Sequence, residues 1–193
     1  MALPRSLPVL EARRVRLRGF EYRDVPLVQE ASTDPAIPRG TTVPDTAGTG
    51  EARAYVDRQT GRVAEGLGYS FAIADPATDE AVGQIGLRLH EVRDGRASIG
   101  YWVGPRHRRR GWATNALRAI SSWGLDLPEL QRLELYVEPW NSASWRAAER
   151  TGYLREGLLR SWQSVGGVRR DMYMYSRLPE GELDQPGMLP VEP

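Results

Sequence analysis

The stretch VGPRHRRRGWAT, Val103 to Thr114, sets four arginines and one histidine directly before a glycine and a tryptophan. The residues ahead of it, ASIGYWV (Ala97 to Val103), are β-branched and aromatic and predict a strand. Those behind it, GWATNALRAISSWGLDL, carry Ala113, Ala116, Leu117, Ile120 and Trp123 at helical spacing. A strand, a short loop and a helix opening at Gly111 build an anion site, because the first turn of a helix has unpaired N–H groups and a positive dipole end. Gly111 and the small Ala113 let an anion approach the backbone closely. The segment Arg108-x-x-Gly111-x-Ala113 therefore fits a pyrophosphate cradle, with arginines adding charge. It is neither a Walker loop, which needs a lysine, nor GxGxxG.

Outward from this segment, the chain alternates sheet and helix signals. RVRLR (Arg14 to Arg18) reads as a strand, and VPLVQEAS as a helix that Asp24 can cap and Pro26 tolerates in its first turn. Asp34 to Gly50, rich in proline, glycine and threonine, predicts a long irregular loop shaping a pocket. A helix is expected over Glu51 to Glu65. Tyr69 to Asp75, Ala81 to His90 and Ala97 to Val103 form an antiparallel meander with short turns. After the central helix come a strand at Arg132 to Val137, a helix at Ser142 to Arg150 ended at Gly152, and a closing hairpin of Tyr153 to Arg160 with Arg169 to Leu178. The fold class is α/β (α+β): one domain over residues 1–178, in which a mixed, mostly antiparallel sheet carries helices on its faces. Residues 179–193, acidic and rich in proline, are expected to be a disordered tail.

Composition narrows the chemistry. Lysine and cysteine are both absent, so all 26 basic residues are arginine. A lysine Schiff base, a thiol nucleophile, a thiolate metal site and a disulfide framework are excluded. With two histidines, no metal is expected. A net charge of +1 argues against a polyanion-binding surface, and aromatic residues are not interleaved with the basic run, so nucleic acid is not an expected partner. Neither a secretory signal nor an apolar run of bilayer length is present, so the expected location is the cytoplasm, away from membranes.

RRRGWA, Arg108 to Ala113, resembles the signature of the GCN5-related N-acetyltransferases: Arg or Gln, two residues, Gly, one residue, Gly or Ala. Its setting, YWVGPRHRRRGWATNAL followed by LELYVEPWNSASWRAAERTGYLREGLLR, is similar to the RimJ/RimL-like ribosomal-protein N-terminal acetyltransferase subgroup. The resemblance implies acetyl-CoA as co-substrate, an amine as acceptor and direct attack without a covalent enzyme intermediate. It implies that the N–H groups of Arg109, Arg110, Gly111, Trp112, Ala113 and Thr114, with Arg108, hold the pyrophosphate. It also implies that the strand before the motif splays from its neighbour, so that main-chain groups of Tyr101, Trp102 and Val103 meet pantetheine. Asn141 and Ser144 match an Asn-x-x-Ser pattern in which the asparagine meets the pantetheine arm and the serine protonates the departing thiolate. Asn141 is equally suited to capping the helix after it.

One position departs from the subgroup. Its proposed base is a glutamate nineteen residues after the serine, and here that position is Gln163. Glutamine accepts no proton, which leaves water, Glu138 or His90 and favours an amine of low pKa. Trp162, beside Gln163, is the tryptophan expected to line the acceptor pocket together with Gln163 and His90. Other readings stay open: a longer acyl group such as succinyl, a CoA-binding module without chemistry, and a homodimer.

Overall fold

In a computed structural model the described residues are 3–179, so the tail expected at 179–193 lies, but for its first residue, outside them. The strands are β1 (Leu10–Ala12), β2 (Val15–Arg18), β3 (Gly68–Ala74), β4 (Ala81–Arg88), β5 (Arg96–Val103), β6 (Arg132–Val137), β7 (Leu154–Val165) and β8 (Val168–Arg177). The helices are α1 (Val25–Ser32), α2 (Ile37–Gly40), α3 (Thr49–Gly61), α4 (Trp112–Leu125) and α5 (Ser142–Glu149). All eight strands form one sheet in the order β1-β2-β3-β4-β5-β6-β8-β7. Its pairs are antiparallel except for β5 with β6.

Two cores sandwich this sheet. On one face Leu17, Phe71, Ile85, Leu87 and Ile99 pack with Ala116, Leu117 and Ile120 of α4 and Ala148 of α5. On the other, Phe20, Val28, Ile37, Ala52, Tyr55 and Val56 from the first three helices and their approaches cover Ala72, Ala81 and Trp102. Period-two alternation along β5 divides its residues: Ile99 and Tyr101 join the α4 face, while Trp102 joins the α3 face.

Three expectations change. Asp24 does not cap α1 with its side chain. Its carboxylate instead accepts two bonds from Arg18, at 2.8 and 2.9 Å, and one from the Glu21 N–H. This fork ties β2 to the start of α1, and both side chains are buried. The Asp34 to Gly50 loop contains the short helix α2, and α3 begins at Thr49 rather than Glu51. The closing hairpin is longer than the sequence suggests, because β7 runs past Arg160 to Val165 and turns through Gly166 and Gly167, both with positive φ.

Candidate active site

The parallel pair of β5 and β6 is short. Arg96 faces Arg132, Ala97 faces Leu133 and Ser98 faces Glu134, and there the pairing ends. Beyond it β5 continues to Val103 bonded only to β4, and β6 continues to Val137 bonded only to β8. The two strands thus present facing edges of unpaired main-chain groups across a gap. Each free edge can bond a linear ligand as another strand would.

The basic loop sits at the open end of this gap. Arg109 has φ +64° and Gly111 φ +82°, so two left-handed residues curl the backbone just before α4. Gly111 is the N-cap of α4 and no side chain caps the helix. The first helical bond runs from the Asn115 N–H to the Gly111 carbonyl at 3.0 Å. Among the described residues, the N–H groups from Arg109 to Thr114 have no hydrogen-bond partner. A left-handed turn leading into an uncapped helix is a nest of inward-pointing N–H dipoles. Gly111 matters here chiefly for its backbone: an added Cβ would meet only Asn115 Nδ2, at 3.5 Å, but φ +82° strains any side-chain-bearing residue.

The arginines divide by partner. Arg106 donates to Glu30, at 2.8 Å from Nε, and this bond holds the Glu30 carboxyl below its usual range. Arg108 lies 2.9 Å from Asp34 and donates through Nε to the Val103 carbonyl at 3.3 Å. Asp34 also accepts from the Ala36 and Ile37 N–H groups. These two arginines therefore pin the loop to α1 and to the approach to α2. Arg109 and Arg110 make no ion pair among the described residues and remain available to an anion. Trp112, first residue of α4, has a buried Nε1–H without a partner.

Across the gap, Tyr101 Oη lies 2.7 Å from Ser144 Oγ and also reaches the Ser144 carbonyl at 3.3 Å. Burial raises the Tyr101 pKa, opposed by the bond with Ser144, so the phenol stays protonated at neutral pH. Asn141 caps α5, its Oδ1 accepting the Ser144 N–H at 3.2 Å. The sequence reading gave Tyr101 a main-chain role only and missed this hydroxyl. Strand alternation contained the signal, since Tyr101 and Trp102 must point to opposite faces. Trp102 is correspondingly no part of the site by its side chain: it is 4% exposed, and its indole N–H donates to Tyr55 Oη at 3.1 Å.

On the acceptor side the outcome is mixed. Trp162 reaches the gap's edge, stacked on Tyr136 of β6 at 5.6 Å between centroids and 24° between planes. A register shift between Leu159 and Gln163, with Ser161 at φ +49°, interrupts the β7 ladder just before it. Such irregularities re-aim strand side chains. Gln163 follows Trp162, opposite Arg170. His90 is not brought here. It lies past the end of β4, before the turn into β5, and so at the closed end of the gap. Glu138 follows β6 and faces Arg170 at 3.6 Å; among the described residues its carboxylate accepts no hydrogen bond. Glu134, by contrast, is buried and engaged, accepting from Tyr136 Oη at 2.6 Å and from Arg132 Nε at 2.7 Å. No His, Cys, Asp and Glu cluster able to hold a metal occurs among the described residues.

Residues 14–154 match the model of the acetyltransferase (GNAT) domain. The chain belongs to the GNAT family. It is an N-acetyltransferase. It is 29% identical over 172 residues to an uncharacterized N-acetyltransferase, p20, of Bacillus licheniformis, covering 89% of this chain and 97% of that one. It is 28% identical over 104 residues to the ribosomal-protein-serine acetyltransferase of Escherichia coli, covering 54% of this chain and 58% of that one. Mycobacterium smegmatis RimJ, solved in complex with CoA-disulfide, has the same fold, with a TM-score of 0.78 and 24% identity over 94% of this chain and 92% of that one. No helix among the described residues is long and apolar enough to cross a membrane.

Proposed function

We propose that this GNAT enzyme moves the acetyl group of acetyl-CoA to a primary amine by direct attack in the gap between β5 and β6. The observation that carries the reading is the continuity between the partnerless N–H groups of Arg109 to Thr114 and the unpaired edge of β5 that ends beside them. Pyrophosphate suits the first and a pantetheine arm the second. Arg109 and Arg110 add charge, and Arg108 holds the loop in shape. Main-chain groups of Tyr101, Trp102 and Val103 face the arm, and Asn141, its Oδ1 spent on the cap, has its Nδ2 donor left for it. N–H groups on this edge polarise the thioester carbonyl.

Ser144 holds the proton for the departing sulfur, and Tyr101, bonded to it at 2.7 Å, orients that hydroxyl and replenishes the proton. Gln163 supplies no base. Glu138, which faces Arg170 at 3.6 Å beside the hairpin, takes the ammonium proton, directly or through water. An acceptor of low pKa is the easier one to deprotonate: an α-amine near ~8 is partly neutral at pH 7, whereas an ε-amine near ~10.4 costs about 3 kcal/mol more. The favoured acceptor is therefore an α-amine on a peptide or small molecule.

Thiol release from acetyl-CoA across a panel of α- and ε-amines tests this. Faster release on α-amines is expected. Acetyl-CoA binding without release on any amine would make the chain a CoA-binding module, and faster release from succinyl-CoA would reassign the acyl group.

A further inference from the structure

On the α3 face of the gap stands a cation without an anion. Arg88, the last residue of β4, lays its guanidinium over Gly100 of β5: a Cβ built on Gly100 would lie 3.2 Å from Arg88 Nη2 and 3.6 Å from Cζ. Gly100 belongs to the stretch of β5 that has lost β6 as a partner. The missing side chain thus leaves main chain, gap and guanidinium side by side. Among the described residues the Arg88 side chain makes no hydrogen bond and no ion pair.

Its surroundings are cationic as well. Arg62, just after α3, spends Nε on Gln59 Oε1 at 3.0 Å and makes no ion pair among the described residues. The largest charge effects on Tyr55 Oη, between α3 and the sheet, come from Arg62, Arg58 and Arg88. The protein around Arg88 lowers its pKa, first by desolvation and then through Arg62, with Tyr55 opposing. Arg106 and Arg16, by contrast, sit beside carboxylates, those of Glu30 and Glu11.

We propose that the amine acceptor carries an anionic oxygen group, a carboxylate or a phosphate, which Arg88 and Arg62 receive while the amine enters the gap beside Gly100. The inference rests on the transferase reading above and adds the chemical class of its acceptor. A planar guanidinium suits either anion through paired N–H bonds.

The test uses the whole chain loaded with CoA and three amides of matched length: Ser-Asp-NH2, Ser-phosphoSer-NH2 and Ser-Asn-NH2. Binding is read by calorimetry, and turnover with acetyl-CoA by thiol release. At least one anionic peptide is expected to bind tenfold or more tightly than Ser-Asn-NH2, and the preferred one identifies the anion. In R88Q the ratio should fall to about one, while R88K retains part of it and R93Q, on the turn between β4 and β5, leaves it unchanged. Equal affinities in the native protein would overturn the proposal, as would an R88Q variant that weakens all three peptides alike. Selective binding without turnover would keep the anion site and refute the transferase reading; turnover without selectivity would do the reverse.

Discussion

The hydroxyl of Tyr101, on β5, lies 2.7 Å from Oγ of Ser144, in the first turn of α5. One hydroxyl comes from a strand edge and the other from a capped helix, so the pair spans the gap at which β5 and β6 part. Its two members should act as a unit. S144A and Y101F are each expected to lower kcat about 100-fold, at the low end of the range for lost general-acid chemistry. The double variant should be little worse than either single one, and CoA affinity should change less than about threefold. Steady-state kinetics with calorimetry completes the cycle, and fully multiplicative losses would separate the two hydroxyls.

Gly111 is expected to answer to backbone shape rather than to bulk. Its φ of +82° is costly for a β-branched residue, tolerable for asparagine and free for glycine, while the space around an added Cβ is open. G111N should retain most CoA affinity. G111V should lose at least tenfold and about 1–2 kcal/mol of stability. Equal losses would mean that crowding, not conformation, selects the glycine.

The four arginines of the loop should separate into two classes. R109Q and R110Q are expected to weaken CoA binding and flatten its dependence on salt, since each removes an unpaired cation near the anion. R108Q breaks a link to Asp34 and Val103, so it should lower the melting temperature while leaving the salt slope as it was. Calorimetry from 50 to 300 mM salt distinguishes them.

Acid should loosen the tether between the loop and α1. Arg106 holds the Glu30 carboxyl below its ordinary value. A depressed carboxylate contributes stability that is complete above its unfolded pKa, about 4.3, and is lost as pH falls through the folded value. The melting temperature should therefore be insensitive to this pair from pH 6 to 8 and decline below about 4.5. E30Q should melt lower at neutral pH and show a shallower acid limb. An identical limb in E30Q would remove Glu30 from the account.

Much of this was readable in the chain. The run of Ala113, Ala116, Leu117, Ile120 and Trp123 identifies α4, and RRRGWA locates its anion-binding start. The meander follows from its turns. What could not be read depends on partners far away in sequence. Arg106 and Arg108 look equivalent until Glu30 and Asp34 claim them. The full length of β7 is hidden because Ser161 breaks the ladder before Trp162, and α2 is one short turn inside a proline- and glycine-rich stretch. The charge on Arg88 gains meaning only when β5 supplies a bare Gly100 beneath it. Tyr101 was within reach of alternation alone, but its bond to Ser144 needed the crossing of α5 over the gap.

The central claim is that the partnerless N–H groups of Arg109 to Thr114 and the free edge of β5 receive acetyl-CoA. Amide hydrogen exchange with and without saturating acetyl-CoA reads those groups directly. Exchange across Arg109 to Thr114 and along Ile99 to Val103 is expected to slow tenfold or more on binding, with little change in the outer strands β1 and β2. Acetyl-CoA that binds while those amides exchange at their free rate would contradict the account.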